Sequence, residues 1–333
     1  MPDTPNEEAP AVVPRGDAYN ETSIQTLDAL AHIRQRPGMY IGRMGDGSHP
    51  DDGIYVMFKE VVDNSVDEFI MGCGRRIDIS IDDRSFTVRD YGRGIPLGKL
   101  VECVSKINTG GKFNKDGYVF SVGMNGVGTK AVNALSSRFA VTSWRDGRRR
   151  RAVFERGVLR EDEEIDAPGE RSGTMIEFTP DETLFPNYSI RLEEVEKRLW
   201  MYAYLNSGLS LYLNSQRYYS RHGLMDLVSS RLDEGASLYP VVHYKDSTLE
   251  FAFCHTRDAG ERYYSFVNGQ YTSDGGTHLS AFKGGLTRAV NEHFGRDFEP
   301  RDIRDGILGT IAVKIEEPLF ESQTKNKLGN TDV

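Results

Sequence analysis

Apolar positions along this chain change spacing repeatedly between a helical period and strict alternation, and the changes mark out its elements. Helical spacing starts at Ser23 and runs into Arg36-Pro37-Gly38-Met39-Tyr40-Ile41-Gly42, where proline and glycine must break it. A long helix is predicted from Gly53 to about Met71, with Ile54, Met57, Phe58, Val61, Val62 and Phe69 on one face. Alternation follows at Ile77, Ile79 and Ile81, then at Phe86 and Val88. The two runs join through Asp82-Asp83-Arg84 as a hairpin. Strand-like segments recur to about Thr179, ahead of a helix over Leu192 to Leu205. After a helical stretch from His222 to Leu232, the composition shifts near Gly235. Strands are then predicted over Leu249–Phe253, Tyr263–Val267 and Gly309–Ile315, with a helix over Leu279–Phe294. The strands are grouped rather than alternating with helices one by one, which predicts α+β sandwiches and not a doubly wound sheet. Residues 1–18, rich in Pro, Glu and Ala, are expected to be a disordered tail, 19–232 a first domain and 233–333 a second. The charged loop at the end, with no closing element after it, reads as a fragment of something longer.

Composition narrows the class. A chain of 333 residues can bury two cores. No apolar run is long enough to cross a bilayer, and the acidic, proline-rich start is unlike a signal peptide, so no membrane and a cytoplasmic location are expected. Cys73, Cys103 and Cys254 lack the paired spacing of a zinc site or disulfide framework and read as reduced. The net charge of −9 gives no bulk attraction to nucleic acid. The basic run Arg148–Arg151 follows the turn dipeptide Asp146-Gly147 and reads as a solvated hairpin tip.

Three segments carry candidate chemistry. On the long helix, Glu60, Asn64 and Asp67 fall at i, i+4 and i+7, placing two carboxylates and an amide on one stripe; a solvent-washed face would look the same. The second hairpin strand ends in Asp90-Tyr91-Gly92-Arg93-Gly94-Ile95-Pro96. There a carboxylate can accept from a base amino group while glycines let a ligand come close, although a plain turn uses the same residues. The run Gly123-Met124-Asn125-Gly126-Val127-Gly128-Thr129-Lys130 leads into a helical pattern at Ala131–Leu135, so backbone N–H groups at a helix start could cradle phosphate. It is not a P-loop, because Thr129 precedes Lys130. A Rossmann fingerprint fails too, on the spacing of Gly92, Gly94 and Gly98.

In that order the three segments resemble the nucleotide-binding motifs of the GHKL (Bergerat) ATPase superfamily. Further segments are similar to type IIA topoisomerase B subunits: Arg36 to Gly42, Glu60-Val61-Val62-Asp63-Asn64, Thr109-Gly110-Gly111-Lys112-Phe113, Asp274-Gly275-Gly276-Thr277-His278 and Gln323-Thr324-Lys325. The likeness runs from Tyr19 to the C-terminus. It implies a GHKL α/β sandwich followed by a ribosomal-S5-like transducer domain. The stretches Asp63–Glu68 and Ser121–Gly126 resemble the topoisomerase IV type slightly more than the gyrase type.

The resemblance also implies roles. Glu60 would be the general base that orients water, Asn64 would hold Mg2+, and Lys325 with Gln323 would meet the terminal phosphate of ATP from the second domain. Asp90 would bind the adenine amino group, with Asp67 on the same helical stripe as Asn64. Gly94, Ile95, Pro96 and Thr174 would shape the adenine end. Lys112, Tyr118, Gly123, Met124, Asn125, Gly126, Val127 and Gly128 would form a lid. Arg93 and Arg145 would border the pocket where ATP-competing inhibitors bind. Tyr19 would reach a partner's nucleotide, so that ATP binding forms a homodimer that gates double-stranded DNA, within an A2B2 complex made with the topoisomerase A subunits. Asn125 and Tyr91 depart from the gyrase pattern, which has His and a second Asp there. Competing expectations are another GHKL ATPase such as a mismatch-repair clamp, and a nucleotide-binding module without turnover.

Overall fold

The computed structural model describes residues 27–111, 126–321 and 325–331. The order begins with α1 (Ala29–Gln35), α2 (Gly38–Ile41) and α3 (Gly53–Ile70). Asp28 caps α1 by accepting from Leu30 and Ala31 N–H at 2.9 and 3.1 Å. Then come β1 (Arg76–Ile81), β2 (Phe86–Asp90), α4 (Leu100–Ser105), α5 (Gly128–Ala134), β3 (Ser136–Arg145), β4 (Arg148–Glu155), β5 (Val158–Asp166), β6 (Gly173–Pro180), α6 (Leu192–Leu205), β7 (Ser210–Leu213) and β8 (Gln216–Tyr218). These eight strands form one sheet in the order β5-β4-β3-β6-β2-β1-β7-β8, antiparallel except where β1 meets β7. The predicted hairpin is β1–β2, with Ile79 opposite Val88 and Ile81 opposite Phe86. Helix α3 lies on β2 and β6 and also packs against α5. Phe58 of α3 sits 5.3 Å from Phe86, which stacks on Phe178 at 4.9 Å, and all three are fully buried. Burying each such ring contributes roughly 1.5–3 kcal/mol.

The second unit contains α7 (Leu224–Ser230), β9 (Val242–Lys245), β10 (Leu249–His255), β11 (Arg262–Val267), β12 (Gln270–Tyr271), α8 (Thr277–Phe294), α9 (Pro300–Arg304) and β13 (Ile307–Val313). Its sheet runs β12-β11-β13-β10-β9. Successive side chains of β10 point to opposite faces. Ala252 and Cys254 join Leu224, Leu227 and Val228 of α7 in one core. Phe251 and Phe253 face Phe282 of α8 on the other side. Helix α7 therefore belongs with the second sheet, although a division at 232/233 assigns it to the first unit. Apolar content alone could not tell which sheet it would cover.

The basic run also lies elsewhere than expected. Arg148–Arg151 is the body of β4, and the turn is Asp146-Gly147, both with positive φ. Arg148 pairs with Glu164 at 2.7 Å, Arg149 with Glu163 at 3.4 Å, Arg150 with Asp162 at 2.7 Å, and Arg151 with Glu177 at 2.8 Å. Acidic β5 thus neutralises three of the four arginines, and the fourth reaches across β3 to Glu177 of β6. All three cysteines are free thiols. Among the described residues no helix is long and apolar enough to cross a membrane.

Candidate nucleotide site

A cavity of about 600 Å³ opens between α3, the end of β2, α4 and the start of α5. One wall is α3, which is seated in the core by Ile54, Met57, Phe58, Val61 and Val62, each no more than 1% exposed. Its roll is held from the side by the Tyr202 hydroxyl of α6, which donates to Asp63 Oδ1, while Lys59 Nζ one turn earlier on α3 lies 2.5 Å from Asp63 Oδ2. Burial pulls the Lys59 ammonium down, but the Asp63 and Glu60 charges more than offset it and the net shift is upward.

Glu60, Val61, Asn64, Ser65 and Glu68 of α3 line the cavity; Asp67 does not. A helix turns about 100° per residue, so Asp67 lies about 20° to one side of Glu60, while Asn64 and Glu68 lie about 40° and 80° to the other. The cavity face is centred near Asn64 and Glu68, and Glu60 marks its edge. Asp67 falls beyond that edge and is buried, 3% exposed. Residues 60, 64 and 67 share a stripe as expected, and the cavity takes the side of it that carries Asn64 and Glu68.

The Asn64 amide nitrogen donates to Glu60 O at 2.7 Å and to Thr129 Oγ1 at 3.0 Å. These bonds orient the amide, so Oδ1 is the atom a hard cation would take. Gly128 starts α5 against the Glu60 carboxylate: a Cβ there would sit 1.8 Å from Glu60 Oε2. Gly126, Val127, Gly128, Thr129 and Lys130 all face the cavity. Lys130 is only 4% exposed and donates to Thr109 O at 2.7 Å.

At the far end Asp90 is 6% exposed. Its Oδ1 accepts from Gly92 N–H at 2.9 Å and Thr174 N–H at 3.1 Å, whereas Oδ2 has the Ser65 hydroxyl at 3.4 Å. Burial pushes its carboxyl up to about 6, against the pull of the two backbone N–H groups. A buried carboxylate with one well-bonded and one loosely bonded oxygen can accept from an amino group of a planar base. Gly94, Ile95, Pro96 and Thr174 line this end. Ser143 Oγ donates to Ile95 O at 2.8 Å and Arg145 to Gly94 O at 3.1 Å, which fixes the loop after β2. Arg93 is more than a surface charge: it grips Glu68 with Nη2 at 2.7 Å, Nε at 3.0 Å and its backbone N–H at 2.9 Å. Tyr91 points away and donates to Asp78 Oδ2 at 2.6 Å.

Among the described residues lining the cavity, Lys325 alone comes from the second unit. Tyr19, Lys112, Tyr118, Gly123, Met124, Asn125 and Gln323 lie outside the described residues. Sequence reasoning missed Ser65, Glu68, Thr129 and Lys130. The signal for the last two was a threonine and a lysine at a glycine-led helix start, set aside because their order does not suit a P-loop.

With this geometry in hand, likeness to known proteins is informative. Residues 50–184 match the family model for histidine kinase-, DNA gyrase B- and HSP90-like ATPases, and residues 219–333 match that for DNA gyrase B. The B subunit of DNA topoisomerase 4 from Borreliella burgdorferi is 52% identical over 94% of this chain and 52% of its own length. The B subunit of DNA gyrase from Helicobacter pylori is 36% identical over 94% of this chain and 44% of its own. The chain thus spans about half the length of these relatives. The 43K ATPase domain of Thermus thermophilus gyrase B, solved with an aminocoumarin, superposes with a TM-score of 0.72 at 28% identity, covering 91% of this chain and 85% of that one. The ATPase region of Saccharomyces cerevisiae topoisomerase II shares the fold, with a TM-score of 0.76 at 21% identity over 93% of this chain and 90% of that one. Two family models in succession and relatives matched along nearly the whole chain place it in the family of type II topoisomerase B subunits, as their GHKL ATPase and transducer region.

Proposed function

We propose that this chain binds and hydrolyses ATP to drive a DNA gate in a type II topoisomerase. The observation that carries the reading is the meeting of Glu60, Asn64, Asp90 and Lys325 in one cavity. Asp90 accepts from the adenine amino group, and the start of α5 with Lys130 takes the phosphates. Glu60 orients water and accepts its proton, and Lys325 meets the terminal phosphate. Phosphoryl transfer needs this kind of positioning and charge neutralisation more than covalent help. Among the described residues no group of three or more His, Cys, Asp or Glu could hold a metal. Magnesium, which commonly keeps waters and binds through one or two protein oxygens plus phosphates, suits Asn64 in that setting and would neutralise phosphate charge when bound.

In the whole protein, ATP binding forms a homodimer with Tyr19 reaching the partner's nucleotide. Two topoisomerase A subunits complete an A2B2 assembly in the cytoplasm, and the closed gate holds double-stranded DNA until hydrolysis. Identity of 52% to a topoisomerase 4 relative, compared with 36% to a gyrase relative, favours the topoisomerase IV type. Arg93 and Arg145, both at the cavity, form the rim that inhibitors competing with ATP would touch.

ATPase rate against protein concentration tests the reading. The rate per molecule should climb with concentration. Glu60→Gln should bind nucleotide and dimerise yet turn over ~100-fold or more slowly. Equal rates for the two proteins would remove Glu60 from its role.

A further inference from the structure

Lys325 stands at the tip of a hairpin, and the hairpin is gripped from outside. Glu321 N–H donates to Lys327 O at 3.1 Å and Gly329 N–H to Leu319 O at 2.8 Å, with Phe320 bridged antiparallel to Leu328. On its other edge Leu328 bridges in parallel to Gly276. Three backbone bonds make that second contact: Asp274 N–H to Asn326 O at 3.0 Å, Leu328 N–H to Gly275 O at 3.1 Å and Thr277 N–H to Leu328 O at 3.2 Å. Residues 326–328 are therefore pinned on both sides, one to three residues from Lys325. Lys325 itself has φ +59, a left-handed conformation that a residue with a Cβ keeps only where its flanks are fixed.

The gripping segment is itself anchored. Gly276, at φ +134, packs so closely that a Cβ would lie 2.4 Å from Leu328 O and 2.6 Å from Leu328 N. Next to it His278 is 1% exposed, with Nε2 3.3 Å from Thr272 Oγ1, and that hydroxyl donates to Ser265 O of β11 at 2.8 Å. Asn330 closes the hairpin base, accepting from Leu319 N–H at 2.6 Å and donating to Glu317 O at 3.2 Å.

We infer that Asp274–His278 is a positioning clamp: it fixes the hairpin so that Lys325 reaches the terminal phosphate, and it serves hydrolysis rather than nucleotide capture. The inference rests on the proposed role of Lys325. Turnover and ADP affinity of the chain should be measured for Gly276→Ala, Lys325→Met and the double variant. ADP lacks the phosphate that Lys325 meets, so its affinity reports only the α3, β2 and α5 side of the cavity. Gly276→Ala should lower kcat tenfold or more with ADP affinity within twofold of wild type. The double variant should be no slower than Lys325→Met, because a clamp that acts through Lys325 has nothing left to position. A full rate in Gly276→Ala beside a slow Lys325→Met overturns the clamp and leaves the site reading standing. Additive losses, or lost ADP affinity, also overturn it. A full rate in Lys325→Met overturns the reading of Lys325 itself. Should Gly276→Ala fail to fold, Asn330 decides: Asn330→Ala should slow turnover and Asn330→Asp, which keeps the acceptor for Leu319, should restore it. Wild-type turnover in Asn330→Ala would then sink the clamp.

Discussion

Helices α3 and α8 are both 18 residues long, and they are built into the molecule in opposite ways. Eleven residues of α3 are buried, while in α8 only His278 is. Helix α3 is wedged between the large sheet and α5, so its polar edge has one orientation and can hold Glu60, Asn64 and Glu68 in register with a ligand. Helix α8 lies along one face of the smaller sheet with its outer side in water. Its single buried residue is in its first turn, where the segment that grips the Lys325 hairpin ends. The lesson is that the first unit presents its site on a helix that is buried along most of its length, whereas the second keeps its core under α7 and reaches the cavity only through Lys325.

The comparison can be broken first by truncating matched rings. Phe58→Ala in α3 should cost ~3–5 kcal/mol, the range for removing a fully buried phenylalanine. Phe282→Ala in α8, half-buried beside Phe251, Phe253 and Tyr263, should cost about half as much. Denaturant unfolding of the two variants measures the difference, and equal losses would mean that α8 is as firmly seated as α3.

A smaller effect, of opposite sign, is expected at Asp90. Its carboxyl titrates near about 6 in the folded chain against 3.8 for the ordinary side chain. Between those values the folded state holds the proton and the unfolded state has lost it, so stability falls as pH rises through that window. Above about pH 6 the whole penalty remains, about 3 kcal/mol for a shift of this size. Asp90→Asn should therefore be more stable than wild type at pH 7 to 8 and no more stable below about pH 4, while binding ATP less well. Melting curves at several pH values check the first part. A constant difference across pH would remove burial as the cause. Wild-type nucleotide affinity should likewise fall as pH drops below about 6, as the acceptor becomes protonated.

The smallest change is Gly128→Ala, which forces the Glu60 carboxylate away from the start of α5. Turnover should fall about tenfold, worth about 1.4 kcal/mol. Unaltered turnover would show that the Glu60 carboxylate has room to move without loss.

Much of this was legible from residue order alone. Helix α3, the β1–β2 hairpin, helix α6 and the grouping of strands follow from periodicity, because burial on one face imposes 3.6 or 2 as the spacing of apolar residues. Glu60, Asn64, Asp90, Gly94, Thr174 and Lys325, named from motifs and their resemblance, all line one cavity. Asp67 shares the stripe without lining the cavity, because a sequence repeat tells which residues share a stripe but not where on the helix the cavity is centred. That depends on how α3 is rolled against the sheet, and the roll is set by contacts such as Tyr202 with Asp63, 139 positions apart. Helix α7 was assigned to the wrong neighbour for the same reason: an apolar face specifies burial, not the partner. Local spacing therefore settled the elements and the chemical groups they carry, since both depend on neighbours along the chain. Only tertiary packing decided that Glu68 and Lys130 face the cavity, that β5 neutralises the basic run, and that a glycine in the second unit holds the hairpin bearing Lys325, because each depends on residues distant in sequence being pressed together.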